Sequence, residues 1–424
     1  MPKLSDLAEI NPKRQLPSDV SLNDEVSFIP MGDVSESGEW ERHRTRPVSG
    51  VLLGFTPFLE EDVLFAKITP CMENGKGAHA VELRHGVGFG STEFHVLRAR
   101  ANVSSRFLFH LCQSKRLRLA AEAHMIGSAG QQRVQKEFFG QYDVIDLPFV
   151  EQQKIAQILD TLDTQIRQTE ALIAKLERIK QGLLTDLLTR GIDENGQLRP
   201  PPEEAPHLYK DSPLGWIPRG WNIKPLADLA EVNRGKFTHR PRNDPAYYGG
   251  DFPFIQTGDV AAAKGGLICT YSQTLSELGT TASTLFPKGT IAITIAANIA
   301  DTAILGIPMY FPDSVVGAIV HDDVDTRYVE LCIRDAKRGL DAKAPQSAQK
   351  NINLQDLRPL PIPTPSLREQ QAIAKRYETL IERIDSEGKS LTKLLSHKAG
   401  LMDDLLTGRV RVTPLLDTAK QAYG

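Results

Sequence analysis

The sequence predicts an α+β chain: two α/β globular domains separated by two long antiparallel coiled-coil helices, as a pseudo-two-fold tandem repeat. Three observations predict it: a sequence frame that occurs twice, a heptad stripe at the same place in each copy, and a proline-rich stretch between the copies. Leu4-Ser-Asp-Leu-Ala-Glu-Ile-Asn11 returns as Leu226-Ala-Asp-Leu-Ala-Glu-Val-Asn233, and Phe28-Ile-Pro-Met-Gly-Asp-Val34 as Phe254-Ile-Gln-Thr-Gly-Asp-Val260. Glu151-Gln-Gln-Lys-Ile-Ala156 matches Glu369-Gln-Gln-Ala-Ile-Ala374, and Asp186-Leu-Leu-Thr189 matches Asp404-Leu-Leu-Thr407, at one shared offset. Between these anchors the middles, about 35–125 and 261–345, look unrelated. A duplicated scaffold with two different inserts is what two different reading tasks require.

The expected order is a first domain over 1–148, a helix over 149–192, a linker over 193–208, a second domain over 209–365, a helix over 366–408 and a tail over 409–424. The linker contains Pro200, Pro201, Pro202 and Pro206, which predicts a stiff, extended connection. In the first helix, apolar positions step by fours and threes through Ile155, Leu159, Leu162, Ile166, Ile173, Leu176, Leu183 and Leu187. In the second they run through Ile373, Tyr377, Leu380, Ile384, Leu391, Leu394, Leu401 and Leu405. This is a 3.5-residue period, the seam of a coiled coil. It is interrupted in matching places, at Thr169 or Glu387 and at Lys180 or Lys398, either to fix register or with the lysine stems reaching out to solvent. The natural partner of each stripe is the other. Connectivity favours antiparallel packing with one domain at each end, and about 35 helical residues at 1.5 Å each would span roughly 50 Å.

Composition narrows the function. The chain has 424 residues, a net charge of −3 and 41% hydrophobic residues, with a mean hydropathy of −0.27, ordinary for a water-soluble protein. Charged residues at Lys3, Asp6, Glu9, Lys13 and Arg14 argue against a leader peptide, so a cytoplasmic location is expected. The apolar stretch from Ile291 to Phe311 is broken by Asn298, Asp301 and Pro308, which predicts buried strands and no contact with a membrane. Cys71, Cys112, Cys269 and Cys332 stand alone as reduced thiols, and the ten histidines lack paired ligand spacing, so no metal site is expected. No catalytic residue or cofactor is expected in this chain. Gly388-Lys389-Ser390 lacks the first glycine of a phosphate loop, and Pro312-Asp313 is not followed by the rest of a nuclease metal motif.

The most diagnostic pattern is a half-repeat: a variable domain, then an extended proline-containing exit (Leu147-Pro148; Leu360-Pro-Ile-Pro363), then Glu-Gln-Gln-x-Ile-Ala opening a long helix that closes on Asp-Leu-Leu-Thr. Across essentially its full length the chain resembles the specificity (S) subunit of type I restriction–modification systems. Tyr209-Lys-Asp-Ser-Pro-Leu-Gly-Trp-Ile-Pro218 with Trp221 looks like that family's opening into a recognition domain, and the first domain lacks it. The resemblance implies that the globular domains are target-recognition domains binding a bipartite, asymmetric sequence in double-stranded DNA. It also implies two modification (methyltransferase) subunits that use S-adenosylmethionine to methylate adenine, with restriction (translocase–nuclease) subunits joining that core.

DNA readout needs polar side chains at base edges, and phosphate contacts need positive charge or free N–H groups. In the first domain the candidates are Lys67, Thr69, Asn74, Lys76, Ser91 and Thr92, on the polar loop after Val63-Leu-Phe-Ala66 and on Gly90-Ser-Thr-Glu93; an ordinary hairpin turn is the alternative. Arg234-Gly-Lys-Phe-Thr-His-Arg-Pro-Arg242 is the densest basic segment and supplies Arg234, Lys236, His239, Arg240 and Arg242. Gln256 and Thr257 replace Pro30 and Met31 of the repeat, through either a reading role or a mere surface difference. Gln131 and Gln349 occupy equivalent positions before the exits, followed by Gln132-Arg133 and Lys350-Asn351, and with Arg133 and Lys350 they serve either contact or turn formation. The Glu-Gln-Gln helix starts suit the helix dipole and point to folding before function. The rival reading is a non-enzymatic coiled-coil scaffold with protein-binding ends.

Overall fold

The structure, a computed structural model, describes residues 1–13, 16–128, 130–296, 299–343 and 351–416. It forms two compact units: Met1–Ala171 with Gly388–Gly424, and Leu172–Glu387. The long helices run over Phe149–Thr189 and Leu367–Leu406, so each unit holds part of both. Among the described residues, no helix is long and apolar enough to cross a membrane.

In the first unit the strands are β1 (Ala8–Ile10), β2 (Glu25–Ile29), β3 (Arg44–Pro47), β4 (Thr56–Leu59), β5 (Val63–Ala66), β6 (Gly77–His79), β7 (Val87–Gly90), β8 (Phe94–Ala99), β9 (Met125–Ile126) and β10 (Arg133–Val134). They form two four-stranded sheets, ordered β1-β8-β5-β6 and β3-β2-β7-β4, and the small pair β10-β9. All four residues of β5 are buried, and successive side chains enter opposite faces, as a strand requires. Val63 and Phe65 enter a core with the helix Ser105–Gln113 and the long helices, while Leu64 and Ala66 enter the layer between the sheets with Ile29, Phe58, Phe94 and Val96. The outer face of the second sheet is covered separately, through Val26, Phe28, Val87 and Phe89 against Val48 and Val51.

The second unit adds β11 (Tyr209–Lys210), β12 (Ile217–Pro218), β13 (Asn222–Pro225), β14 (Ala230–Arg234), β15 (Tyr248–Phe254), β16 (Leu267–Ile268), β17 (Gln273–Leu275), β18 (Thr284–Phe286), β19 (Ile291–Thr294), β20 (Thr302–Leu305), β21 (Met309–Phe311), β22 (Val315–Val320) and β23 (Pro361–Thr364). Its sheets are ordered β14-β22-β19-β20-β16 and β17-β15-β21-β18, with pairs β11-β12 and β13-β23. Apart from the added β16, this is the strand order of the first unit. The one parallel pairing in each second sheet, β2 with β7 and β15 with β21, falls at the same step. The middles that share no evident sequence therefore share a topology. Burial on both faces selects the central strands, and it tolerates exchange of one apolar residue for another, so identity was lost while order was kept. The run from Ile291 to Phe311 forms strands β19, β20 and β21, as expected.

Antiparallel packing of the long helices is visible inside each unit. In the first, Ile155 and Leu159 share a core with Leu405 and Leu406; in the second, Leu187 and Leu188 share one with Ile373 and Tyr377. The start of one helix thus meets the end of the other. The seam positions Ile155, Leu159, Ile166, Leu176, Leu187, Ile373, Tyr377, Ile384 and Leu405 are buried. Leu162, Ile173, Leu183, Leu380, Leu391, Leu394 and Leu401 are half-buried, as are the polar interruptions. Lys398 forms an ion pair with Asp163 of the opposite helix, whereas Lys180 pairs with Glu177 of its own helix at 3.0 Å. Of the two readings of the seam lysines, register fixing suits Lys398 and the reaching stem suits Lys180.

The Glu-Gln-Gln starts have a specific role. Glu151 accepts hydrogen bonds from Arg411 Nε and Nη2 at 2.9 and 2.6 Å, and Glu369 accepts from Arg199, from the Trp221 indole at 3.1 Å and from Ile192 N–H at 2.9 Å. In both units the first glutamine accepts the N–H of a domain helix's N-cap: Gln152 from Ser104 and Gln370 from Asp325, each at 2.9 Å. The same amides donate to the carbonyls of Leu147 and Pro365. Each long helix therefore opens on a clasp that ties its own exit strand, its domain's helix and the segment following the other long helix. For the same reason the proline-rich stretch is not a free extended linker. Arg199 is held by Glu369, Tyr209 Oη donates to the Pro200 carbonyl at 2.6 Å, and Ala205 is buried.

The Glu151 carboxyl is held below its ordinary value, chiefly by the Arg411 hydrogen bonds. A depressed folded-state value means that the clasp contributes above the unfolded carboxylate range and is lost as pH falls through the folded value. Glu151→Ala should weaken the first unit by about 1–2 kcal/mol, because Arg411 is partly exposed. Lower amide protection at 409–413, each rate taken against its intrinsic value at that pH, in the variant at neutral pH and in the wild type on acidification, would be the check; unchanged protection in both would refute the clasp.

Candidate nucleic-acid interface

Each unit brings three separate segments to one corner, with the same backbone bonds. In the first unit Lys67 N–H donates to the Glu93 carbonyl at 2.9 Å, Val134 N–H donates to the Lys67 carbonyl at 2.9 Å, and Ile68 bridges Arg133. In the second, Ile295 N–H donates to Ser314 and Ile352 N–H to Ile295, both at 3.1 Å, and Ala296 bridges Asn351. The loops after β5 and β19, the turns after β7 and β21, and the segments before the exits thus converge twice. The side chains differ: Lys67, Glu93 and Arg133 stand where the second unit has Ile295, Ser314 and Asn351.

At the first corner Arg133 Nε and Nη2 donate to both Glu93 oxygens at 2.9 Å, and Arg133 Nη1 donates to the Gln131 carbonyl. The Glu93 carboxyl lies below its usual range, first because of the Arg133 hydrogen bonds and then because of the Arg133 and Lys67 charges. Among the described residues, nothing bonds the Lys67 ammonium, and Thr92 and Gln131 are exposed. Ser91 Oγ accepts the Glu93 N–H at 3.1 Å and shapes the turn. Beneath the corner, buried His95 bonds the Val134 carbonyl through Nε2 at 2.9 Å. A carbonyl only accepts, so Nε2 carries the proton and Nδ1 accepts from Asn11 Nδ2 at 2.9 Å. Burial lowers the His95 pKa, in keeping with this neutral ring.

The remaining first-unit candidates hold their own loop. Thr69 Oγ1 donates to Glu73 at 2.7 Å, Asn74 Nδ2 to Glu36 at 2.9 Å and Lys76 Nζ to the Met31 carbonyl at 3.3 Å.

In the second unit the basic segment folds around Asp313. Arg242 and Arg240 form ion pairs with its carboxylate, and Arg234 Nε donates to its carbonyl. Phe237 is buried with Phe254, Leu275 and Ala282 and anchors the segment. His239 stacks on Tyr247 at 3.8 Å between centroids and bonds Asp244 at 3.1 Å. Lys236 is exposed, and among the described residues nothing bonds its ammonium. Gln256 and Thr257 stand apart from this cluster at the start of the helix Thr257–Ala263, where Gln256 Nε2 donates to Gln273 at 2.9 Å. Gln349 and Lys350 lie outside the described residues.

Sequence reasoning missed Asp313: weighed only as a metal ligand, it is the acid that gathers the arginines. Arg118, buried behind the Lys67–Lys76 loop, left no pattern to read.

A family profile described as the type I restriction modification DNA specificity domain matches residues 1–178 and again 218–396. The chain belongs to this family. The two matched segments of this specificity-domain chain enclose the two corners. It is 36% identical over 189 residues to the type I restriction enzyme EcoAI specificity subunit of Escherichia coli, covering 43% of this chain and 29% of that protein. Against the EcoEI specificity subunit, also from Escherichia coli, identity is 34% over 190 residues, 41% of this chain and 32% of the other. The matches thus span less than a third of either relative. In fold the chain is similar to the HsdS subunit from Thermoanaerobacter tengcongensis, with a TM-score of 0.54, 17% identity and 96% of each chain covered. The S subunit from M. genitalium gives a TM-score of 0.54 at 14% identity, covering 96% of this chain and 95% of that one.

Asp313→Asn removes the charge that gathers Arg240 and Arg242. Amide exchange over 234–243 is expected to speed up while the first unit stays unchanged. Equal protection in the variant would mean that Phe237 alone holds the segment.

Proposed function

We propose that the chain is the DNA-reading subunit of a type I restriction–modification assembly. It binds double-stranded DNA with a bipartite, asymmetric target, one half for each unit. It directs two modification subunits, which carry S-adenosylmethionine and methylate adenine, and restriction subunits join them. The chain itself does no chemistry, holds no cofactor and works in the cytoplasm. The observation that carries this reading is the twice-built corner: one backbone arrangement, outfitted once with Lys67, Glu93 and Arg133 and once with the arginines around Asp313. A frame that keeps its bonds and changes its side chains suits two readers of different sequences. Family membership supports the same reading.

The net charge of −3 does not oppose it, because phosphate binding depends on local charge, and each corner offers unpaired or shared cations. An acid among the cations serves readout as well. Glu93 holds the planar Arg133 fork in place, and a fixed guanidinium fork is what bidentate contact with guanine needs.

Methylome sequencing of a host with and without the chain tests the proposal. One bipartite adenine-methylated motif should disappear with the gene, and an unchanged methylome would defeat it. Exchanging residues 35–125 for those of a relative should alter one half of the motif only. In gel-shift assays of the assembled complex, affinity should fall steeply with salt. Lys236→Ala should weaken binding to all sequences alike and reduce the salt slope by about one. A scaffold with protein-binding ends would show no specific DNA affinity at any salt concentration.

A further inference from the structure

Among the described residues Arg118 is the one arginine in the buried class, 6% exposed, on the helix Lys115–Glu122. It has no carboxylate partner there. Its Nε donates to the Cys112 carbonyl at 2.8 Å, and Nη1 donates to the carbonyls of Met72 and Lys76 at 3.0 and 3.2 Å. Nη2 donates to Gly75 and Lys76 at 3.2 Å and to Gln113 Oε1 at 3.3 Å. The guanidinium lies over the Phe65 ring, 4.2 Å from its centroid. Burial draws its pKa down to about 10, so it remains charged at neutral pH.

A buried charge without a counter-ion is costly, and an apolar side chain of similar size would fill the space at lower cost. What the charge supplies is a grip on backbone. Three of the four carbonyls it holds, those of Met72, Gly75 and Lys76, belong to the far limb of the loop whose near limb begins at Lys67. Phe65, beneath the guanidinium, lies on β5, which feeds that near limb. The grip uses no side chain of the loop, so loop residues can change while the loop keeps its path.

We infer that Arg118 is a positioning residue for DNA readout by the first unit, fixing the Lys67–Lys76 loop through its backbone carbonyls. The inference rests on the proposed DNA-reading function and adds the residue that keeps one of its two corners selective.

The test is methylome sequencing of a host carrying its native modification partners with either the wild-type chain or Arg118→Lys, which keeps the charge but loses the fork. The first unit's half-site is identified as the half that changes on exchange of 35–125. Methylation at sites with one wrong base pair in that half is expected to rise by about ten-fold, equivalent to about 1.4 kcal/mol of lost discrimination. The stringency of the other half should stay as it was. A merely structural role would lower methylation at all sites together and leave selectivity intact, and that result would overturn the inference, as would equal stringency in both halves. If Arg118→Lys does not accumulate, Gly75→Ala carries the test. It leaves Arg118 in place, but its Cβ would sit 2.7 Å from the Glu36 carbonyl at a φ of +82°, which displaces the Gly75 and Lys76 carbonyls. Full stringency in that variant also overturns the inference. Absence of any motif dependent on the wild-type chain would instead refute the DNA-reading function itself.

Discussion

The fold depends on the clasp at the start of each long helix. A 41-residue helix, and a second of 40, could slide or rotate against each other, because a heptad seam repeats and offers neighbouring registers. The clasps remove that freedom at the ends. Glu151 and Glu369 are placed where a helix start favours negative charge, and each closes on an arginine delivered by the segment beyond the other helix. Gln152 and Gln370 then lock the domain helices through N-cap N–H groups that a helix leaves without an internal partner. Two side chains in sequence thus join three pieces of structure, and the seam pair Lys398 and Asp163 adds one more fixed point in the first unit.

With the frame held this way, the domains were free to diverge. The strands β1-β8-β5-β6 and β14-β22-β19-β20 keep one order in both units, and the corner they lead to is built from main-chain hydrogen bonds. Main-chain bonds do not constrain side-chain identity. The same corner could therefore become a lysine–glutamate–arginine group in one unit and, in the other, a place where Asp313 draws in a basic segment from beyond β14. The chemistry changed without any change in the path of the chain.

This difference explains what could be read from the sequence. The long helices were legible because the seam repeats over many turns and because Ile155 to Leu187 and Ile373 to Leu405 follow the same period. The clasp motif was legible as a repeat, but its partners Arg411 and Arg199 were not, since they lie far off in sequence with no pattern linking them. The common topology of the middles was hidden: Val63-Leu-Phe-Ala66 and Ile291-Ala-Ile-Thr294 agree in burial and not in identity. Of the site candidates, Lys67 and Arg133 meet at one corner although 66 positions separate them, while Thr69, Asn74 and Lys76 from the same polar loop bond within their own unit. A polar loop announces itself in sequence, but which of its residues face outward depends on contacts such as those of Glu36 and Met31, which only the fold supplies.

Charge follows the same logic. A chain with net charge −3 is an unpromising polyanion binder when averaged, and the average misleads because the acids are spent in specific places. Glu151 and Glu369 neutralise arginines at the clasps, Glu330 is fully buried against Arg334, and Asp160 lies against Arg106 and His110. These acids serve the frame. Glu93 and Asp313 serve the corners, where one carboxylate orients one arginine in the first unit and gathers several in the second. Lys67 and Lys236 are left without a protein partner among the described residues. Their charge is available to solvent or to phosphate, and it lies beside arginines whose geometry is already set.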